Sequence, residues 1–401
     1  MESRKGFDVK IERVETFGVS LPERRAHPMA FQHGKQGDYV IVRVFAEGLV
    51  GLGEATVLKA WGGDYGRYYG EDPSMTIQLI NDVLAPAIIG EDARQIERIL
   101  AKLDRIVKGY PYAKASIDIA LHDLVGKAYD LPVYQLLGGL YRREVPLVHS
   151  LGIMEPEPLL REVEIAASEG VKTIKLKAGL DPKRDVETVR AARELVGDSV
   201  ALSVDANQGW PDPKTAIQAI RRMEPYDLLF VEQPVQGLEQ MARVAHAVDT
   251  HIMADESAWN AHDILEIARL GAAEVISLYV TKPGGLLGAR KAAAVAEAAG
   301  FTCNVNGSAE TGVGNAANLH LAAALGVISQ ACALPVSAPA ESLPTQMTGR
   351  YYLDDIVTEA FDYRDGCLVV SDRPGLGIEL DEEKVEKYSV SFTASTAKEY
   401  A

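Results

Sequence analysis

The 401-residue sequence holds only three cysteines, Cys303, Cys332 and Cys367, with no close pair among them. That excludes a disulfide framework and a thiolate zinc site, and it fits a reducing compartment. No apolar run is long enough to cross a membrane, and the opening residues MESRKGFD lack the apolar core of a signal peptide. The expectation is a soluble, cytoplasmic protein with no membrane partner. The phosphate loops GxGxxG and GxxxxGK[ST] are missing. Positive charge is scarce: 41 Lys and Arg against 57 Asp and Glu leave a formal net charge of −16. Such a surface repels a phosphate backbone, which argues against a nucleic-acid partner.

What is present is ordinary soluble-protein composition, 47% hydrophobic and 24% charged, in a chain long enough for a barrel plus a cap. Residues 8–20 and 39–46 read as strands, and VGLGEA after Gly48 continues an antiparallel meander. The connection Pro22–Asp38, with His27 and His33, and the Gly- and aromatic-rich loop Trp61–Gly70 are long enough to be lids over a site. Mobile surface loops would share that composition. Helical spacing follows at 74–85, 92–107 and 112–129, so residues 1–140 are expected to form an α+β unit, strands before helices.

From about residue 144 strands and helices alternate. Strands are expected at 145–151, 171–177, 200–205, 228–232, 251–255, 274–281, 301–306 and 326–334. Helices are expected at 158–169, 183–196, 213–223, 237–247, 260–270, 285–299 and 314–325. Eight strands at this repeat predict an α/β fold, a parallel (β/α)8 barrel of the TIM type over residues 141–345. The last repeat is the weakest, because 335–349 reads as loop. Residues 346–401 are expected to return to the N-terminal unit and complete an α+β capping domain.

The chemistry is concentrated at the strand ends. Strand 171–177, VKTIKLK, places Lys175 and Lys177 on one face, because residues i and i+2 of a strand point the same way. The following strands end at Asp205, Glu232 and Asp255, and the next is followed by Lys282. Starting at Lys177, successive separations are 28, 27, 23 and 27 residues, one charged residue per βα repeat. In a barrel these ends converge on one mouth. A single acid there is readily a helix N-cap. Three carboxylates flanked by lysines are better explained by a divalent cation, since like charges at close range resist joint ionisation. Hard oxygen donors favour Mg2+, with Mn2+ a substitute. Asn207 and Glu256 are candidates to support the ligands. The α-proton of a carboxylate is very weakly acidic; its removal needs a stabilised enediolate and a tuned base, a role lysine can fill. Lys177 and Lys282, four strands apart, would face each other across the barrel.

KxK, VDAN, VEQP, ADES and a lysine after the sixth strand resemble the enolase superfamily, specifically its muconate-lactonizing (muconate cycloisomerase-like) subgroup among the mandelate racemase/muconate lactonizing enzymes. Residues 112–139 and the tail PGLGIEL (374–380) are similar to that family's capping domain. The resemblance implies one Mg2+ on Asp205, Glu232 and Asp255. It also implies Lys177 as general base, Lys175 as electrostatic helper, Lys282 as the opposite acid/base, and a homo-oligomer, often an octamer. No histidine stands in NVNGSAETG, so the histidine base of the mandelate-racemase pattern is not met. Glu310 matches a carboxylate many relatives carry there, or caps the next helix. After the eighth strand, ACALPVSAP lacks both the acid of muconate cycloisomerases and the Asp-x-Asp of dipeptide epimerases.

The function so implied is a Mg2+-dependent isomerase of a small carboxylic or amino-acid-like acid, a cycloisomerase or racemase/epimerase working through a metal-stabilised enediolate. Dehydration of a hydroxy acid on the same site is the alternative. A metal-free Schiff-base aldolase and a non-catalytic binding protein are the other classes, distinguished by borohydride trapping and by absence of exchange. Trp61 and Tyr65, with Asp64, Tyr68 and Tyr69, are the lid residues expected to shape the pocket.

Overall fold

The computed structural model describes residues 9–30, 38–59, 61–66 and 70–391. His33, Tyr68 and Tyr69 lie outside the described residues. Strands β1 (Arg13–Ser20), β2 (Asp38–Ala46) and β3 (Leu49–Thr56) form the expected antiparallel meander. The β2–β3 turn is tight because Glu47 and Gly48 both take positive φ (49° and 75°), which matches the strand twist.

Helices α1 (Pro73–Leu79), α2 (Ala85–Ile88), α3 (Ile96–Ile106), α4 (Pro111–Tyr129) and α5 (Val133–Leu136) follow. The single helix expected over 74–85 is instead α1, a widened π turn over Ile80–Leu84, and α2. Pro86 has no N–H to continue the ladder, and the Ala85 N–H donates five residues back, to Ile80 O. Helix α4 is buried on nearly every face, as its small and apolar residues allow. It lies hard against β3: a Cβ at Gly53 would stand 1.8 Å from Ser116 O, and one at Gly51 2.1 Å from Ala120 O.

The second unit carries β4 (Glu144–Pro146), β5 (Val148–Leu151), β6 (Thr173–Lys177), β7 (Ala201–Asp205), β8 (Leu228–Glu232), β9 (Ile252–Ala254), β10 (Val275–Leu278) and β11 (Thr302–Val305). Between them run α6 (Pro156–Ser168), α7 (Pro182–Val196), α8 (Pro213–Met223), α9 (Leu238–Ala245), α10 (Ala261–Leu270) and α11 (Leu286–Ala298), with α12 (Gly312–Ala324) after β11. Strands β5 to β11 form one parallel sheet in sequence order. Asp181, Asp212 and Asn260 cap α7, α8 and α10 with their side chains, which gives those loops sharp helix starts.

Two expectations about the barrel strands need correction. The strand foreseen at 145–151 is two: β4 pairs with a C-terminal hairpin, and only β5 enters the barrel. Pro146 cannot donate to a ladder, and Leu147 N–H goes to Gly366 O. The eighth strand, foreseen at 326–334, is not a regular strand. Isolated parallel bridges Cys303↔Ile328, Asn306↔Ala333 and Leu147↔Cys332 close the ring instead. Ser329 and Gln330 both donate to Cys303 O, and between the bridges at Cys303 and Asn306 the facing segment carries two extra residues, so the ladder slips.

The tail forms β12 (Asp362–Arg364) and β13 (Cys367–Val369), a hairpin on β4, then α13 (Glu382–Tyr388) and β14 (Ser389–Val390), which pairs with β1. Leu376 N–H donates to Asp123 Oδ1 on α4, and Val133 N–H to Gly375 O. Among the described residues no helix is long and apolar enough to cross a membrane.

Candidate active site

In-register pairing sets the site. Lys177 lies beside Asp205, and Asp205 beside Glu232, at the ends of β6, β7 and β8. Asp255 follows β9 by one residue, and Lys282 lies in the turn after β10. The parallel sheet thus brings the charged residues of five successive repeats to one end.

Ammonium and carboxylate groups interleave there. Lys177 Nζ donates to Asp205 Oδ2 at 2.6 Å and to Asn207 Oδ1 at 2.8 Å. Lys175 Nζ lies 3.1 Å from Glu232 Oε2 and 3.2 Å from Asp205 Oδ2. Lys282 Nζ donates to Asp255 Oδ1 at 2.5 Å and to Asp255 O at 2.7 Å. It also lies 3.9 Å from the Tyr279 ring centre and 5.1 Å from that of Trp61. Asn207 Nδ2 donates to Glu256 Oε1 at 3.0 Å, while Glu256 Oε2, buried, has no hydrogen-bond partner. Asn306 Nδ2 donates to Glu232 Oε1 at 3.2 Å.

These contacts decide the charge states. Burial raises the Glu232 carboxyl well above the usual range, and neighbouring Asp205 adds to this. Burial and then Asp255 push Glu256 up to about 8. Burial alone would raise Asp205, but Lys177 and Lys175 outweigh it and leave it at about 2. Desolvation opposes the charge on Lys175, yet Glu232 and Asp205 overcome it, so this amine stays protonated. Of four buried acids, Asp205, Glu232 and Asp255 pair with the three lysines, while Glu256 meets Asn207. The donor chemistry fits a hard divalent cation. Among the described residues, however, no three acidic, histidine or cysteine side chains are drawn into one metal-ligating group, for the ammonium groups stand between the carboxylates.

The cavity beside them, about 60 Å3, is large enough to hold water. Lys175, Lys177, Asp205, Asn207, Asp255 and Trp61 line it; Glu232, Glu256, Glu310 and Lys282 do not. Lys282 is tucked behind Tyr279 and Trp61. Glu310 lies under the floor: its Oε1 accepts from Ser308 N–H at 2.9 Å, and a Cβ on cavity-lining Gly307 would meet its Oε2. Tyr65, expected over the site, is 73% exposed and does not line the cavity. Its neighbour Asp64 fastens the loop by accepting from Gly237 N, Ser257 Oγ and Gln208 Nε2.

Sequence reasoning missed several cavity residues: Ser150, Tyr279, Asn306, Tyr351 and the part played by His27. Ser150 pairs in register with Lys175, and Asn306 follows β11, so the strand-end rule that found the acids also reaches these two. His27 and Tyr351 come from irregular segments that carry no periodic signal.

Residues 13–138 match the family model "Mandelate racemase / muconate lactonizing enzyme, N-terminal domain", and residues 159–384 match "Enolase C-terminal domain-like". The chain is 31% identical over 388 residues to an N-succinyl-L-Arg/Lys racemase of Bacillus cereus, covering 95% of this chain and 98% of that protein. It is 34% identical over 387 residues to a chloromuconate cycloisomerase of Cupriavidus necator, covering 95% and 99%. A solved muconate lactonizing enzyme from Pseudomonas fluorescens, complexed with muconolactone, superposes with a TM-score of 0.86 at 32% identity, covering 96% of this chain and all of that one (100%).

Proposed function

As this chain belongs to the mandelate racemase/muconate lactonizing enzyme family, an isomerase family of the enolase superfamily, we propose that it removes and returns the proton α to the carboxylate of a small acid. The observation that carries this reading is the pair Lys177 and Lys282, four strands apart, each hydrogen-bonded to a carboxylate of one buried cluster.

In this reading Lys177, as the free amine, takes the α-proton: the C–H bond breaks, an N–H bond forms, and the electron pair enters the planar enediolate. Asn207 Oδ1 keeps Nζ aimed at the cavity. Lys175 remains charged and supplies a fixed positive potential beside the forming negative charge. Lys282, leaving Asp255, returns a proton to the other face, which inverts the centre. For the opposite enantiomer the two lysines exchange roles. Asp205, Glu232 and Asp255 would hold Mg2+, or Mn2+ in its place. When bound, the ion supplies positive charge at the substrate carboxylate and makes the α-proton more acidic. Racemisation or epimerisation of an amino-acid-like acid uses both lysines; cycloisomerisation uses one.

The test is incubation in D2O with Mg2+ and a panel of N-succinyl amino acids, dipeptides and muconates, followed by NMR. Deuterium at the α-carbon of one class is expected; no exchange with any of them would sink the proposal.

A further inference from the structure

The turn that carries Lys282 is held by the other domain. Residues 280–285 close on themselves, with Gly285 N–H donating to Val280 O and Gly284 N–H to Thr281 O. Helix α11 begins right after, and Gly285, at its cap position, has no side chain with which to satisfy the first N–H groups. The carboxylate that does so is Asp118 on α4: Leu286 N–H donates to Asp118 Oδ1 at 2.6 Å. The approach is as close as glycine permits, since a Cβ on Gly285 (φ 127°) would stand 2.3 Å from Asp118 Cβ and Cγ. Asp118 is fully buried, and His122, one turn along α4, sets its nearer surroundings with Nδ1 3.2 Å from Oδ1.

We propose that Asp118 is a positioning residue for Lys282: by capping α11 from the capping domain, it sets the height of the 280–285 turn and therefore where the lysine amine stands. This rests on the reading of Lys282 as the acid/base on one face. A capping carboxylate also favours the positive end of α11, so its charge as well as its shape matters. The consequence is directional. Loosening the turn misplaces Lys282 and leaves Lys177, on the rigid strand β6, where it was.

The experiment measures α-deuterium exchange separately for each enantiomer of the acid that exchanges fastest in the panel above. Lys177→Met and Lys282→Met each abolish exchange from one enantiomer and so assign the faces. Asp118→Asn is then expected to slow exchange on the Lys282 face by about 10- to 100-fold and the Lys177 face by less than about twofold. Gly285→Ala, which forces the turn away from Asp118, is expected to show the same asymmetry and serves if Asp118→Asn fails to fold. Hydrogen–deuterium exchange of the backbone should quicken in 281–289 and not in 173–177. Equal slowing on both faces, slowing on neither, or unchanged protection of 281–289 would overturn the proposal. An unmodified enzyme that exchanges no acid would instead overturn the parent reading, while the backbone measurement still judges the role of Asp118.

Discussion

Lys177 and Lys282 are chemically alike, and their surroundings give them different work. Lys177 faces the cavity between Asp205 and Asn207, whereas Lys282 is fully buried against Asp255, Tyr279 and Trp61. If the proposed two-lysine racemisation is the reaction, replacing either by Met is expected to lower it by about 1,000-fold, the scale of one general acid/base; polarimetry of either enantiomer measures it. A residue outside the site gives a pH prediction. Glu162 is buried and takes hydrogen bonds from His149, Arg25 and Arg24. Burial opposes its ionisation, but these three partners outweigh it and hold its carboxyl far below the ordinary 4.5. A carboxyl depressed in the folded state stabilises the fold above its unfolded value, and the contribution is lost as pH falls. Glu162→Gln should therefore cost about 1–3 kcal/mol at pH 7, with the gap narrowing below pH 4.5. Urea melts at the two pH values check this. A gap that widens in acid would contradict it.

At the level of elements, α4 organises the molecule more than any single barrel strand. It packs on β3 through Gly51 and Gly53, receives the tail through Asp123, and caps α11 through Asp118. Gly53→Ala would put a methyl group 1.8 Å from a backbone carbonyl. The strand or α4 would have to move, at a cost of about 1–3 kcal/mol; thermal unfolding should show a lower Tm. Periodicity made α4, the meander and most barrel elements legible within a few residues. It failed at Pro86, at β4–β5 and at the eighth strand. In each case the ladder was redirected by something a pattern of apolar residues does not encode: a missing N–H, a partner from the far C-terminus, or two extra residues.

For the whole molecule, four acids are buried at one end of the barrel, and burial together with their neighbours' charge raises Glu232 and Glu256, a cost that a bound cation would relieve. Mg2+ at 100 times its Kd is expected to stabilise the fold by about 2.7 kcal/mol, read as a rise in Tm over EDTA-treated protein. Asp205→Asn should abolish the rise. A Tm indifferent to Mg2+ would count against a cation at these carboxylates. The expected assembly is a homo-oligomer, and light scattering should give a multiple of 43.4 kDa; a monomer at working concentration would refute it.

By itself the sequence determined the class of fold and the members of the charged cluster. Both are periodic properties: alternating strands and helices specify a barrel, and one charged residue per repeat is delivered to one rim by parallel register. Tertiary structure alone decided which carboxylate pairs with which amine, that Lys282 lies behind Tyr279 and Trp61, that Glu310 is beneath the floor, and that Asp118 reaches across to α11. Those facts depend on contacts between residues far apart in the sequence, as Asp118 and Leu286 are, 168 positions from each other. Such contacts are set by how closely the two units pack, as at Gly285 and Asp118, and no local spacing records that distance.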